Sequence, residues 1–89
     1  MEENNLILKL TIHPNPFVGE VSISIRKQNL KQATYSIKNI LGQTVFKQQE
    51  NNLNSNYTRT LDLSFLSKGI YLLDVNVDGE RTMKKIVKE

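Results

Sequence analysis

Residues 70–79 (IYLLDVNVDG) decide the fold that this sequence predicts. Tyr71, Leu73, Val75 and Val77 recur at every second position, so they share one face of a β-strand. The next two residues are Asp-Gly, the strongest short signal for a two-residue hairpin turn. Residues 81–88 (RTMKKIVK) then predict a returning strand. The stretch therefore predicts a β-hairpin with one apolar face.

The register of this hairpin raises a difficulty. A two-residue turn at 78–79 pairs Tyr71 with Ile86 and Leu73 with Lys84, which puts a lysine on the apolar face. Either a β-bulge shifts the register, or the last strand is an edge strand whose charges oppose edge-to-edge association. We favour a bulge near residues 81–83.

Strand-like alternation continues through the rest of the chain. Besides the hairpin, it predicts strands at residues 6–12, 21–25, 33–39, 43–48 and 57–63. Turns fall between them at 13–16, 39–42 and 51–56, and residues 64–69 predict one turn of helix or 3₁₀ helix that ends at Gly69. Seven short strands with closely spaced turns predict an all-β sandwich or barrel.

Composition excludes several classes of function. The chain has 89 residues, enough for one domain, with no cysteine and one histidine. Disulfide frameworks, thiolate metal sites and two-histidine zinc sites are therefore excluded. The net charge of +3 comes from lysines and arginines scattered along the chain, which does not favour a nucleic-acid interface. No apolar run is long enough for a membrane-spanning helix.

The sequence offers no recognisable catalytic or metal site. His13 lies between a predicted strand and two prolines, where a loop or packing role is expected. Asp62, Asp74 and Asp78 do not follow the spacing of a calcium loop and are expected to be solvated structural residues. Tyrosines alternate with apolar neighbours and are expected to pack in the core: Tyr35, Tyr57 and Tyr71. We therefore predict a domain that is not an enzyme and needs no cofactor.

The order of four segments carries the most information about function. They are Pro14-Asn15-Pro16, the strand and turn at 35–45, the stretch 61–73 and the basic end at 83–89. This order resembles the type A C-terminal sorting domain of type IX secretion cargo, which is found in Bacteroidota. The resemblance covers residues 8–89 and leaves residues 1–7 as a stub or linker remnant.

The resemblance implies an Ig-like β-sandwich of about seven strands behind an N-terminal cargo domain. In the family, an outer-membrane translocon reads this domain after the cargo has crossed the periplasm. A sortase-like peptidase often cleaves it afterwards, so that the cargo is released or attached to the cell surface. The implied location is secreted or at the cell surface.

Specific positions match the motifs of the family. Pro14, Asn15 and Pro16 match its early turn, and Asn39, Leu41 and Gly42 match its central turn. Gly69 and Tyr71 match the start of the penultimate strand. The terminal strand, where the family concentrates its export signal, corresponds to Lys84, Lys85, Ile86, Val87, Lys88 and Glu89.

Two roles remain open for the terminal strand. Its edge could accept a strand from a receptor, and its lysines could steer it towards an acidic surface. The same lysines could instead prevent aggregation of a solvated edge, and an edge strand also permits dimers by strand pairing. We expect turn residues such as Pro14 and Gly42 to preserve shape.

Two other functions compete with sorting. The three tyrosines and the fold class would suit a β-sandwich adhesion or carbohydrate-binding module. A passive Ig-like spacer that stabilises a neighbouring catalytic domain is the third hypothesis.

Overall fold

The computed structural model of the protein describes residues 8–53 and 55–89. Within them, seven strands follow one another in chain order: β1 Lys9–His13, β2 Glu20–Arg26, β3 Ala33–Lys38, β4 Thr44–Glu50, β5 Asn56–Asp62, β6 Gly69–Val77 and β7 Glu80–Lys88. Every predicted strand is present, with its ends shifted by a few residues at most. The predicted stub at 1–7, with the start of the first predicted strand, lies outside the described residues.

The strands form two antiparallel sheets. One sheet has the order β1-β2-β5 and the other the order β4-β3-β6-β7. In immunoglobulin lettering these are strands ABE facing strands GFC, with C′ added at one edge. The predicted all-β fold is confirmed, and the arrangement is that of a β-sandwich.

A single apolar core lies between the two sheets. Alternate residues of the central strands are fully buried, as the period of two requires. Burial of each of these larger side chains stabilises the fold by about 1.5–3 kcal/mol. The buried residues are Phe17, Val21, Ile23, Ile25, Leu30, Ala33, Tyr35, Ile37, Leu61, Leu63, Leu66, Tyr71, Leu73, Val75, Val77 and Ile86.

Polar contacts link the sheets at the edge of this core. The hydroxyl oxygens of Tyr35 in β3 and Tyr57 in β5 lie 3.0 Å apart in a hydrogen bond between the two sheets. Burial is the main reason that the pKa of Tyr35 is raised, so the phenol stays neutral. Arg59 in β5 pairs with Glu50 in β4 beside them. The expectation that the tyrosines pack in the core is confirmed for Tyr35 and Tyr71, and Tyr57 packs half-buried against it.

The β6–β7 hairpin contains no bulge. Asp78 and Gly79 have φ angles of 51° and 91°, which is the geometry of a type I′ turn. Pairing then runs without a shift from Val77 opposite Glu80 to Gly69 opposite Lys88. The predicted bulge is therefore wrong. Lys84 does lie opposite Leu73, but β7 is the last strand of its sheet and the lysine side chain reaches solvent.

The connection between β5 and β6 is a turn and not helix or 3₁₀ helix. Asp62 Oδ1 accepts hydrogen bonds from Ser64 N at 3.1 Å and from Ser64 Oγ at 2.7 Å. Leu66 N donates to Leu63 O at 3.1 Å, which closes one turn. This single hydrogen-bonded turn does not continue into a helix, so the predicted helix or 3₁₀ helix is wrong.

Asp78 has a larger structural role than the sequence indicates. Its carboxylate accepts hydrogen bonds from the backbone N–H groups of Lys31 at 3.1 Å and Gln32 at 3.0 Å. It also receives one from Lys27 Nζ at 3.2 Å, and only 17% of its side chain is exposed. Burial alone would raise the pKa of Asp78, but these donors outweigh it and the pKa is lowered. The carboxylate thus fastens the hairpin turn to the loop before β3.

Candidate functional site

The early turn holds the edge of β7 through one side chain. Asn15 Nδ2 donates to Lys85 O at 3.0 Å, and Val87 N donates to Asn15 Oδ1 at 3.0 Å. The peptide bonds before Pro14 and Pro16 are both cis. A primary amide supplies a donor and an acceptor at once, so Asn15 imitates the backbone of a neighbouring strand.

The backbone next to Asn15 continues this contact. Phe17 N donates to Val87 O at 2.8 Å, and Glu89 N donates to Phe17 O at 2.8 Å. Phe17 forms a parallel bridge with Lys88 while its ring is fully buried in the core. We call Asn15 and Phe17 the clasp. The predicted edge for strand addition is therefore already covered along residues 85–89.

The central turn is built by Asn39. Its Oδ1 accepts from Leu41 N at 2.9 Å and from Gln43 N at 3.0 Å, and Gly42 N donates to Asn39 O at 3.0 Å. Gly42 has a φ of 84°, a region that glycine enters without steric cost. The turn pushes Ile40 and Leu41 into solvent, where 81% and 77% of each residue is exposed.

The start of β6 is fixed by Tyr71. Its hydroxyl donates to Ser67 O at 2.8 Å, and the ring is buried in the core. Gly69 precedes it with a φ of 149°, at the limit of the region that only glycine adopts freely. These two matched residues therefore shape the connection into β6.

The terminal strand divides its residues between the core and the surface. Ile86 is fully buried opposite Tyr71. Lys84, Lys85 and Glu89 are exposed, whereas Val87 and Lys88 are half-buried beside the clasp. Of the six positions predicted for recognition, Ile86 belongs to the core and is hidden from a partner of the folded domain.

A groove forms on the outer face of the four-stranded sheet. It has a volume of about 390 Å³ and lies between the central turn and the start of β6. Its walls come mainly from Lys38, Asn39, Ile40, Ile70, Leu72 and Lys85. We call it the Leu72 groove. The groove brings together three segments, at residues 38–42, 70–72 and 85. The first two are about thirty residues apart in sequence and the last two about fifteen. They meet because β3, β6 and β7 are neighbours in the sheet.

One ion pair lies farther along the same face. The guanidinium of Arg81 donates to both carboxylate oxygens of Asp74, at 3.0 Å from Nε to Oδ1. This hydrogen bonding is the main reason that the pKa of Asp74 is lowered and that of Arg81 is raised. Sequence reasoning missed the pair, although the hairpin register and the spacing of the two residues could have predicted it.

The described residues contain no cluster of three or more histidine, cysteine, aspartate or glutamate side chains that could hold a metal ion. His13 is the last residue of β1, where it pairs with Ser22, and its side chain is exposed, so the expected loop position is wrong by one residue. Within the same part of the chain, no helix has the length and apolar character needed to cross a membrane.

These features define a small β-sandwich module with an exposed apolar groove and a clasped edge strand. Residues 11–89 match the sequence model of the secretion system C-terminal sorting domain, and the chain belongs to this family. The resemblance to type IX sorting domains is thereby confirmed, and the match begins three residues after the boundary we expected. No curated protein matches the chain.

Proposed function

We propose that this domain directs an N-terminal cargo through the type IX outer-membrane translocon. A sortase-like peptidase then removes it, and the cargo is released or attached to the cell surface. The domain itself performs no catalysis and uses no cofactor or metal. The family supports the sorting role in general terms, and the remaining steps are our proposal.

The observation that carries the proposal is the convergence of the family motifs at one end of the four-stranded sheet. The early turn contacts the terminal strand because Asn15 Nδ2 donates to the backbone oxygen of Lys85 at 3.0 Å. Gly42 of the central turn and Tyr71 of β6 border the same groove as Lys85. A receptor could therefore touch all four motifs on one surface, although they are spread over the whole sequence.

Two kinds of residue make up this surface. Asn15, Asn39, Gly42, Gly69 and Tyr71 hold backbone in place, as their hydrogen bonds and φ angles indicate. Lys84 and Lys85 of β7 and the apolar side chains around the groove are exposed and available for contact. We propose that the first group preserves the shape of the signal and that the second group is read.

A reporter fusion tests the sorting role. Residues 1–89 are fused behind a reporter that carries an inner-membrane signal peptide, in a cell with a working type IX system. We expect the reporter outside the cell or on its surface, and the same reporter without residues 1–89 in the periplasm. Retention of the complete fusion in the periplasm, with the domain folded, would contradict the proposal.

The carbohydrate-binding alternative loses the observation on which it rested. Tyr35 and Tyr71 are buried, and Tyr57 is half-buried with its hydroxyl bonded to Tyr35. Tyr35 and Tyr71 therefore offer no stacking surface, and Tyr57 presents only part of its ring.

A further inference from the structure

The outer face of the four-stranded sheet contains an apolar side chain between two lysines. Leu72 of β6 pairs with Lys38 of β3 on one side and with Lys85 of β7 on the other. Directly paired residues in antiparallel strands project on the same face, with Cβ atoms about 5 Å apart. The three side chains therefore form a row across the sheet, with a cation at each end.

Other apolar side chains extend this row into a patch. Ile70 is 50% exposed and Leu72 36% exposed, and both line the Leu72 groove with Ile40 from the central turn. Met83 of β7, 49% exposed, lies on the same face opposite Asp74. Isolated exposed apolar residues are ordinary, but a contiguous patch beside a groove marks an interaction site.

The charge around the groove is positive. Lys38 and Lys85 line it, and no carboxylate belongs to its described lining. Asp74, the acidic residue next along β6, is held by Arg81. The charge of Lys38 is one of the smaller causes that lower the pKa of Asp74, after the hydrogen bond from Arg81. The groove therefore favours an occupant with carboxylates beside its apolar group.

We propose that the Leu72 groove binds an extended protein segment that presents an apolar side chain flanked by acidic residues. The apolar side chain fills the groove against Leu72 and Ile70, and the acidic neighbours contact the lysines at both ends of the row. A concave groove of about 390 Å³ accommodates one or two side chains, which suits a peptide better than a flat lipid surface. The inference rests on the proposed function, since a translocon component would supply the segment.

Two synthetic peptides test this chemistry on the complete 89-residue chain. Both have a central leucine-valine-leucine triplet; one has two aspartates on each side and the other has two lysines. Titration followed by amide chemical shifts in NMR is expected to perturb Ile40, Ile70, Leu72 and Lys85. We expect the acidic peptide to bind at least about fivefold more tightly than the basic one.

Variants of the groove and a matched control sharpen the result. Leu72→Ser should weaken binding of the acidic peptide about tenfold. Phe65→Ser should leave it unchanged, because Phe65 is equally apolar and 62% exposed but does not line the groove. The double reversal Lys38→Glu with Lys85→Glu should transfer the preference to the basic peptide. Unaltered amide spectra away from the groove would show that each variant is folded.

Several outcomes would overturn the inference. They are equal binding of both peptides, shifts outside the groove, or no shift at millimolar peptide. Binding to vesicles of phosphatidylglycerol without binding to the acidic peptide would assign the groove to lipid. Concentration-dependent shifts at the groove without peptide would assign it to a second copy of the chain. Export of the reporter fusion together with any of these results would sink this inference and leave the sorting role intact.

Discussion

At the scale of single residues, two polar side chains make hydrogen bonds to distant parts of the chain that the sequence pattern does not predict. Asn15 lies in an exposed turn, yet its amide satisfies one carbonyl and one N–H of a strand seventy residues away. Asp78 sits in a hairpin turn, yet it fastens that turn to another loop. Sequence patterns report the local turn at each position, whereas these distant partners depend on the packing of the sandwich.

Two substitutions of Asn15 should distinguish the contributions of its two hydrogen bonds to stability. Asn15→Ala removes both and should lower the free energy of unfolding by about 1–2 kcal/mol in urea titrations. It should also speed hydrogen exchange at the amide of Val87. Asn15→Asp keeps an acceptor for Val87 N but cannot donate to Lys85 O, so exchange at Val87 should stay slow. Exchange at Val87 that stays as slow in Asn15→Ala as in the wild type would mean that Asn15 does not hold β7.

The carboxylate of Asp78 should make stability dependent on acid pH. Its pKa is lowered in the fold from an ordinary value of 3.8, so its contribution is complete above that value and is lost as the pH falls through the lower folded pKa. Asp78→Asn keeps a residue that tolerates the positive φ and should cost about 1–2 kcal/mol at neutral pH. Thermal unfolding between about pH 2 and 7 should show a smaller acid loss in the variant than in the wild type. Parallel pH curves would contradict this role.

At the scale of secondary structure, the hairpin β6–β7 shows which features the sequence predicts and which it does not. Its alternation and its Asp-Gly turn predicted both strands and their pairing, because the period of two and the turn type are local properties. A bulge near residues 81–83 would move Lys84 off the inward face, but the observed pairing has none and needs none. An edge strand has solvent on one side, so a long side chain on the inward face can leave the core. Whether β7 is an edge strand depends on sheet order, which no local pattern encodes.

A comparison of Gly79 with Gly19 separates the effect of backbone strain on stability from the effect of crowding by an added side chain. An added Cβ would meet nothing within 4 Å at Gly79 or at Gly19, but only Gly79, with a φ of 91°, has a positive φ. Gly79→Ala should therefore lower the free energy of unfolding by about 1–2 kcal/mol. Gly19→Ala should be neutral or slightly stabilising, because it restricts the unfolded chain. Urea titrations measure both, and equal effects would contradict the assignment of a type I′ turn.

At the scale of the whole molecule, the β-sandwich brings motifs that are distant in sequence to one end of the four-stranded sheet. The sequence predicted the fold class, the strands and the family, since these follow from periodicity, turn chemistry and motif order. The Leu72 groove was not predicted, because Lys38, Leu72 and Lys85 meet only when β3, β6 and β7 lie side by side. The clasp was not predicted either, since it joins the first turn to the last strand.

The buried position of Ile86 also affects how the terminal signal can be tested. Deletion of residues 84–89 would remove a fully buried side chain and the partners of the clasp. Loss of export after such a deletion would report unfolding as readily as loss of recognition. Exposed lysines of β7 allow a cleaner test, because charge reversal on the surface leaves the core intact.

The most direct measurement is the export of reporter fusions with reversed lysines in β7. Lys84→Glu with Lys85→Glu alters two exposed residues of the terminal strand. Lys9→Glu with Lys47→Glu makes the same change in net charge at exposed positions of β1 and β4. We expect the β7 variant to accumulate in the periplasm as a folded protein, and the control to be exported like the wild type. Export of both variants at the wild-type level would contradict the claim that the terminal strand is read.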